Sequence, residues 1–422
     1  MFKVSYLTVF LLLLWNCLAL AQDLTLMECF RRAAEMNPTL KVAIHNENLA
    51  REDVNIAKSG YLPHLDMQGG YTFQDDAQAF KALGTSIEIQ DKNYSSLNLA
   101  LSQKIYDFGR TSSRYNKSKA MEKAVGFAYK GKEQDIFLQV VEAYYGIWEA
   151  KKILKSADEE VSQITQHLQI SKDFYEQGVS TLNDLLQAEV KLAASRQQKL
   201  AAANRLENSW LLLNFLINQE PGYRAELEDK LEPIEDLPTG GLEKAVETRP
   251  EIKAMEKIID ASKYEVQDSR SNYAPEIFVQ LAFDYMENSR AKEQTIASAA
   301  IGLKMNIFDG LATTSSYRRA VEFKVQNQDK LRLLKEQIKL EYRTAANDAM
   351  IAKERILATE KAIEQGEENL RITRDRYQDL VGTATDVIDA QTLLTQVRTD
   401  NYRARFDYQV AIARVKRAMG EL

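Results

Sequence analysis

Proline is scarce and unevenly placed in this chain of 422 residues, with seven in all, at positions 38, 63, 221, 233, 238, 250 and 275. None falls between Pro63 and Pro221 or after Pro275, so only isolated glycines interrupt the helix-forming stretches there. Cysteine is nearly absent. Cys17 lies in an N-terminal apolar segment, and once that segment is removed Cys29 stands alone, which excludes an intrachain disulfide. The three histidines, His45, His64 and His167, share no metal-ligand spacing, and each reads as a surface or boundary residue. No nucleophile elbow, Ser-His-Asp spacing, Cys-His pair or phosphate cradle is found, so no catalytic residue, metal or cofactor is expected. The net charge of −6 gives no reason to expect nucleic acid. A composition that is 45% hydrophobic and 27% charged, with mean hydropathy −0.39, excludes a bundle of membrane helices.

What is present begins with an export signal. Lys3, an apolar run through Leu14 and the small-x-small pattern Ala19-Leu20-Ala21 before Gln22 predict a signal peptide over residues 1–21. Trp15 and Asn16 suit poorly the two positions before a lipidated cysteine, which argues against lipid attachment at Cys17.

The mature chain is a tandem duplication. Pro38 and Pro250 are 212 apart, and so are Pro63 and Pro275. Later, Tyr175 and Tyr377, Thr181 and Thr383, Asp184 and Asp386, and Ala188 and Ala390 are each 202 apart. Unlike residues keeping one offset mark a repeat, and the drop from 212 to 202 places a shorter loop in the second copy. The first repeat spans residues 22–218 with a tip at 178–184, and the second 242–422 with a tip at 380–390. Residues 219–241, with Pro221, Pro233 and Pro238, form an acidic, turn-rich linker, and Gly240-Gly241 reads as a turn rather than a phosphate loop.

Each copy repeats one order of elements. A helix runs from Pro38 or Pro250 to the next proline. Period-two alternation follows. Leu65, Met67, Tyr71 and Phe73, then Leu97, Leu99 and Leu101, mark two strands in the first copy; Ile277 to Tyr285, then Ala299 to Ile307, mark two in the second. Each is near the ~9–11 residues a tilted strand needs to cross a bilayer. The motifs "YDFG" and "FDG" close the last strand of each copy, with Asp107 and Asp309 at the junction, Gly109 and Gly310 freeing the turn, and Tyr106 and Phe308 at the level of an aromatic belt. The helices that follow would extend ~100 Å at ~1.5 Å per residue. Seven-residue spacing of Leu185, Leu192, Leu206 and Leu213, with Lys199 interrupting, and of Ile356, Ile363 and Leu370, predicts paired coiled coils, and Tyr144, Tyr145 and Trp148 read as core.

Four amphipathic strands cannot close a barrel alone, and lipid tolerates no open strand edge, so the chain must oligomerise. Three copies would supply twelve strands, enough for a water-filled lumen. The fold class expected is therefore α+β: a long α-helical coiled-coil barrel plus a four-strand contribution to a trimeric 12-stranded β-barrel.

The opening "LTLMECFRRAAEMNP", the junctions "IYDFG" and "IFDG", the tips "GVSTLNDLLQA" and "VGTATDVIDAQ", and the closing "AIARVKRAMGEL" together resemble the TolC family of outer-membrane efflux proteins over essentially the whole mature chain. The resemblance implies a homotrimer in the outer membrane of a Gram-negative bacterium, extending into the periplasm. A periplasmic adaptor would dock it to an inner-membrane RND-type or ABC-type transporter, for efflux or type I secretion. It implies that Asp386 and Asp389, three apart on one helix face, form constricting rings, with Asp184 a weaker candidate. Gly178, Thr181, Gly382 and Thr383 make up the tip turns. Residues 377–397 contain no Lys or Arg, which favours cation accumulation and raised carboxyl pKa values if three chains converge there. The alternative is an exported coiled-coil scaffold without channel activity.

Overall fold

The computed structural model describes residues 24–82, 84–228, 231, 233–234 and 241–422. The signal peptide, Cys17 and part of the linker, Pro238 and Gly240 included, lie outside the described residues. Two compact bodies emerge. One gathers residues up to Ala43, Lys130–Pro250 and Lys335–Leu422; the other gathers Ile44–Tyr129 and Glu251–Leu334. Among the described residues no helix is long and apolar enough to cross a membrane.

In chain order the elements are α1 (Leu26–Met36), α2 (Pro38–Ser59), β1 (His64–Phe73), β2 (Ala79–Ala82), β3 (Thr85–Glu88), β4 (Asn93–Tyr106), α3 (Arg110–Glu176), α4 (Leu182–Leu216), α5 (Gly241–Thr248), α6 (Pro250–Ser271), β5 (Glu276–Met286), β6 (Thr295–Lys304), α7 (Ala312–Gln378) and α8 (Ala384–Ala418). Pro38 and Pro250 are the first helical residues of α2 and α6, where a missing N–H costs nothing. The repeat extends to length: α3 and α7 have 67 residues each, α4 and α8 have 35 each.

The second body holds an antiparallel sheet of order β1-β4-β5-β6, so β1 and β6 are edges. Register places Leu65 opposite Leu101, Leu101 opposite Leu281 and Leu281 opposite Ala299, while Gln68, Asn98, Asp284 and Ile296 form a row on the other face. The alternation read from sequence thus becomes one apolar and one mostly polar face. Two expectations need correction. The first copy has more than the two strands expected, because β2 and β3 form a separate two-stranded hairpin between β1 and β4, with Gly84 at φ +85°. Strand β6 ends at Lys304, so Met305 and Ile307 are not part of the ladder. The shorter second connection, between Met286 and Thr295, accounts for the change in repeat offset.

The first body is helical. Val140, Ile147, Leu213, Leu216 and Ile356 are essentially inaccessible, and Tyr144, Tyr145 and Trp148 are buried as the spacing predicted. The pair α3 and α4 also buries polar contacts. Glu160 is 2% exposed and receives Lys191 Nζ at 2.8 Å and the Ser195 hydroxyl at 3.2 Å. Glu149, equally buried, pairs with Arg205 at 3.0 Å. Such pairs contribute little net stability, yet removing one partner strands a buried charge and costs ~3–5 kcal/mol. Cys29 is fully buried, and burial pushes its thiol up to about 12, which leaves it inert.

Candidate functional site: the helical tips

The two turns joining α3 to α4 and α7 to α8 share one construction. Each first helix ends in a left-handed residue, Gly178 at φ +72° and Leu380 at φ +60°, which are 202 apart. Val179 N donates to Phe174 O at 2.9 Å and Val381 N to Arg376 O at 2.8 Å, satisfying carbonyls that the helix ends leave open. The next helix then starts with a capping box. Thr181 accepts from Asp184 N while the Asp184 side chain accepts from Thr181 N at 3.2 Å; Thr383 and Asp386 repeat the exchange, with Thr383 N donating at 3.0 Å.

Gly178 and Gly382, both read from the sequence as tip-turn residues, do different work. The counterpart of Gly178 is Leu380. Gly382 serves a different purpose, since a Cβ there would lie 3.2 Å from Tyr377 N and 3.4 Å from the Arg376 carbonyl carbon. Backbone cannot yield as a side chain can, so glycine is required by close approach rather than by a left-handed φ.

Asp386 and Asp389 are both exposed and line one open groove of about 430 Å³ with Asn369, Thr373, Arg376 and Leu393. Their shared helix face holds as expected. The absence of a cation does not: Arg376, one residue outside the stretch free of Lys and Arg, lies in the same groove. The Asp386 carboxyl is held below its ordinary range by the Thr383 backbone N–H and hydroxyl, which outweigh the opposing effect of burial, with a lesser contribution from Arg376. Within one chain this is the reverse of the raised value expected from crowding, because the helix cap binds the ionised form. At Asp184 burial acts upward, but hydrogen bonds from Thr181 and Ser180 outweigh it and lower the pKa. The Thr385 hydroxyl donates to Gln187 Oε1 at 2.8 Å, joining α8 to α4.

Behind this groove lies a node that the sequence did not reveal. Tyr377 is buried, its ring 5.1 Å from that of His167 and 5.5 Å from that of Phe174, and its hydroxyl is 3.1 Å from Ser171 Oγ. Its repeat counterpart Tyr175 is 41% exposed, so the same residue type meets opposite fates in the two copies. His167 is a core residue rather than a boundary one. It is 5% exposed with Nε2 unpartnered among the described residues, and burial, aided by nearby Arg374, lowers its pKa to about 4. Farther along the helices, Arg398 bridges Glu159 on α3 at 3.2 Å and Glu367 on α7 at 2.7 Å.

In the other body the strand-to-helix junctions also repeat. Thr111 N donates to Asp107 Oδ2 at 2.7 Å and Thr313 N to Asp309 Oδ2 at 2.9 Å, so each aspartate caps the long helix that follows. Gly109 and Gly310 take φ +89° and +64°, the freedom anticipated for the turn. Among the described residues no group of three or more His, Cys, Asp or Glu is placed to hold a metal ion.

With this geometry in view, the likeness to known proteins is specific. A family model described as outer membrane efflux protein matches residues 30–219 and 241–421. The outer membrane protein TolC of Vibrio cholerae is 23% identical over 413 residues, covering 94% of this chain and 91% of that protein. The alkaline protease secretion protein AprF of Pseudomonas aeruginosa is 23% identical over 415 residues, covering 94% and 85%. The fold matches the Campylobacter jejuni CmeC outer membrane channel with a TM-score of 0.84 at 16% identity, over 94% of this chain and 85% of that one. Since the family match takes in both repeats and both tips, the chain belongs to the outer membrane efflux protein family, whose members are outer-membrane channels and not enzymes.

Proposed function

We propose that three copies of this chain close a 12-stranded barrel in the outer membrane, and that their long helices supply a periplasmic α-barrel. The conduit would pass cargo from an inner-membrane RND-type or ABC-type transporter through a periplasmic adaptor. Membership of the family makes the chain an outer-membrane channel for efflux or type I secretion. The observation that carries the trimer is the sheet. Its two edges, β1 and β6, are open, and its apolar face leaves Leu65, Met67, Phe73 and Ile301 at least 70% exposed in a single chain. Lipid covers such a face, and ring closure alone removes such edges. An exported scaffold would leave both uncovered in water.

In this assembly Asp386 and Asp389 form stacked acidic rings at the periplasmic entrance, tempered by Arg376. Asp386 is already engaged by the cap, whereas Asp389 presents its carboxylate to the groove. A ring of like charges attracts cations and can hold a multivalent one tightly enough to plug the pore. The test is single-trimer recording in planar bilayers. Asp386→Asn with Asp389→Asn is expected to abolish block by trivalent cations added from the periplasmic side and to lower cation selectivity, and Asp389→Asn alone should have the larger single effect. Wild-type block in the double variant would place the gate elsewhere, with Asp184 next to test.

A further inference from the structure

The polar face of the sheet is not uniform. Pairing sets Lys104 opposite Phe278 and Phe278 opposite Gly302, and Lys304 lies opposite Glu276 in the next row of that face. Both lysines sit at the strand ends that lead into the long helices α3 and α7. Strand spacing and rise put their Cα atoms roughly 12 Å apart on the same face. Carboxylates of that face lie toward the other end: Asp66 shares a row with Ala100, Ala282 and Ser298, and Asp284, which accepts from Asn98 Nδ2 at 2.6 Å, lies in the row beyond. Glu276 does not neutralise Lys304, because Arg110 Nη1 holds it at 3.1 Å. Among the described residues neither lysine forms an ion pair, and both are exposed.

Between them stands an aromatic on a face otherwise rich in Gln, Ser, Asn and Ala. A Cβ at Gly302 would overlap the Phe278 ring, so the ring lies down against the bare backbone of β6 instead of standing off the sheet. Phe278 is only half-buried, which leaves part of the ring open on the face that carries the two lysines. A flat apolar platform flanked by uncompensated cations suits a ligand with both an apolar body and an anionic head.

We infer that Lys104, Phe278 and Lys304 form a binding station for amphiphilic organic anions, such as aromatic sulfonates or carboxylates. This rests on the trimeric-barrel reading, in which this face lines the lumen and the station recurs three times. The ammonium groups attract the anionic head, and Phe278 favours cargo that carries apolar surface over inorganic anions.

The experiment uses assembled trimers in planar bilayers with anilinonaphthalene sulfonate added from the extracellular side. Wild-type trimers are expected to show concentration-dependent block. The Lys104→Gln, Lys304→Gln variant should need about tenfold more probe for the same block, since two screened attractions are lost at each station. Phe278→Leu should weaken block without changing charge, and inorganic sulfate should not block wild type. Unchanged block in the lysine variant, or block by sulfate as strong as by the probe, overturns the inference. A conducting pore that trivalent cations still block, but the probe does not, overturns this station alone; wild-type trimers that carry no current overturn the conduit and the station with it.

Discussion

Leu281 sits near the middle of β5, with Leu101 and Ala299 directly opposite on the apolar face, while Gln280 faces the other way beside Ser102 and Ala300. If this face meets hydrocarbon, Leu281→Arg places a guanidinium near the bilayer midplane. The cost there is about 2–4 kcal/mol per chain, hence roughly 6–12 kcal/mol per trimer once symmetry repeats it. Gln280→Arg has the same length and charge but points toward water, so its cost should be at least several-fold smaller. Even about 3 kcal/mol per chain shifts an assembly equilibrium more than a hundredfold. Outer-membrane fractions run on gels without heating should therefore show a strong trimer band for Gln280→Arg and little or none for Leu281→Arg. The purified Gln280→Arg trimer should also dissociate near the wild-type temperature, with altered conductance. Equal trimer yields, or a worse outcome for Gln280→Arg, would refute the assignment of faces.

The tip turns allow a paired test. Gly178→Ala should destabilise its turn by about 1 kcal/mol through the left-handed φ alone, and Leu380→Gly should stabilise the matching turn by up to about 1 kcal/mol; tip-specific hydrogen exchange reads both, and a stabilised Gly178→Ala tip or a destabilised Leu380→Gly tip would contradict the geometry. Gly382→Ala should loosen the second tip by about 1–2 kcal/mol because its Cβ meets backbone, visible as faster proteolysis between residues 376 and 386. His167 imposes a pH dependence. Its folded pKa, near 4, lies below the ordinary value of 6.5, so the unfolded chain binds more protons between those limits and stability falls as pH drops through that window. The loss should approach about 2–3 kcal/mol per chain near pH 4, full stability being present above pH 6.5. Thermal dissociation of trimers at pH 7.5 and pH 5 should show this slope, and His167→Phe should flatten it; an unchanged slope would assign it to other groups.

Much of this protein is written locally in its sequence. Proline acts on its own φ and on one hydrogen bond, so Pro38, Pro63, Pro250 and Pro275 bound the same helices in any context. Period-two alternation marks a surface with two unlike faces, and the four strands of the main sheet follow from it. The capping boxes at Thr181 and Thr383 and the junction aspartates are short-range patterns of the same kind, and the duplication is legible because such patterns recur at a fixed offset. Other features depend on which elements meet. The β2–β3 hairpin, two strands of four residues, is too short for its alternation to stand out. Leu380 adopts a left-handed φ because the tip of a two-helix hairpin demands one there, although leucine itself resists it. Tyr377 is buried and Tyr175 exposed because the two repeats, alike in sequence order, pack against different neighbours. Arg376 meets Asp386 because the turn folds back, and His167 is enclosed because Tyr377 crosses it from α7. Phe278 lies down between two lysines because strand pairing brings Gly302 beside it, a juxtaposition across 24 residues that only the register creates.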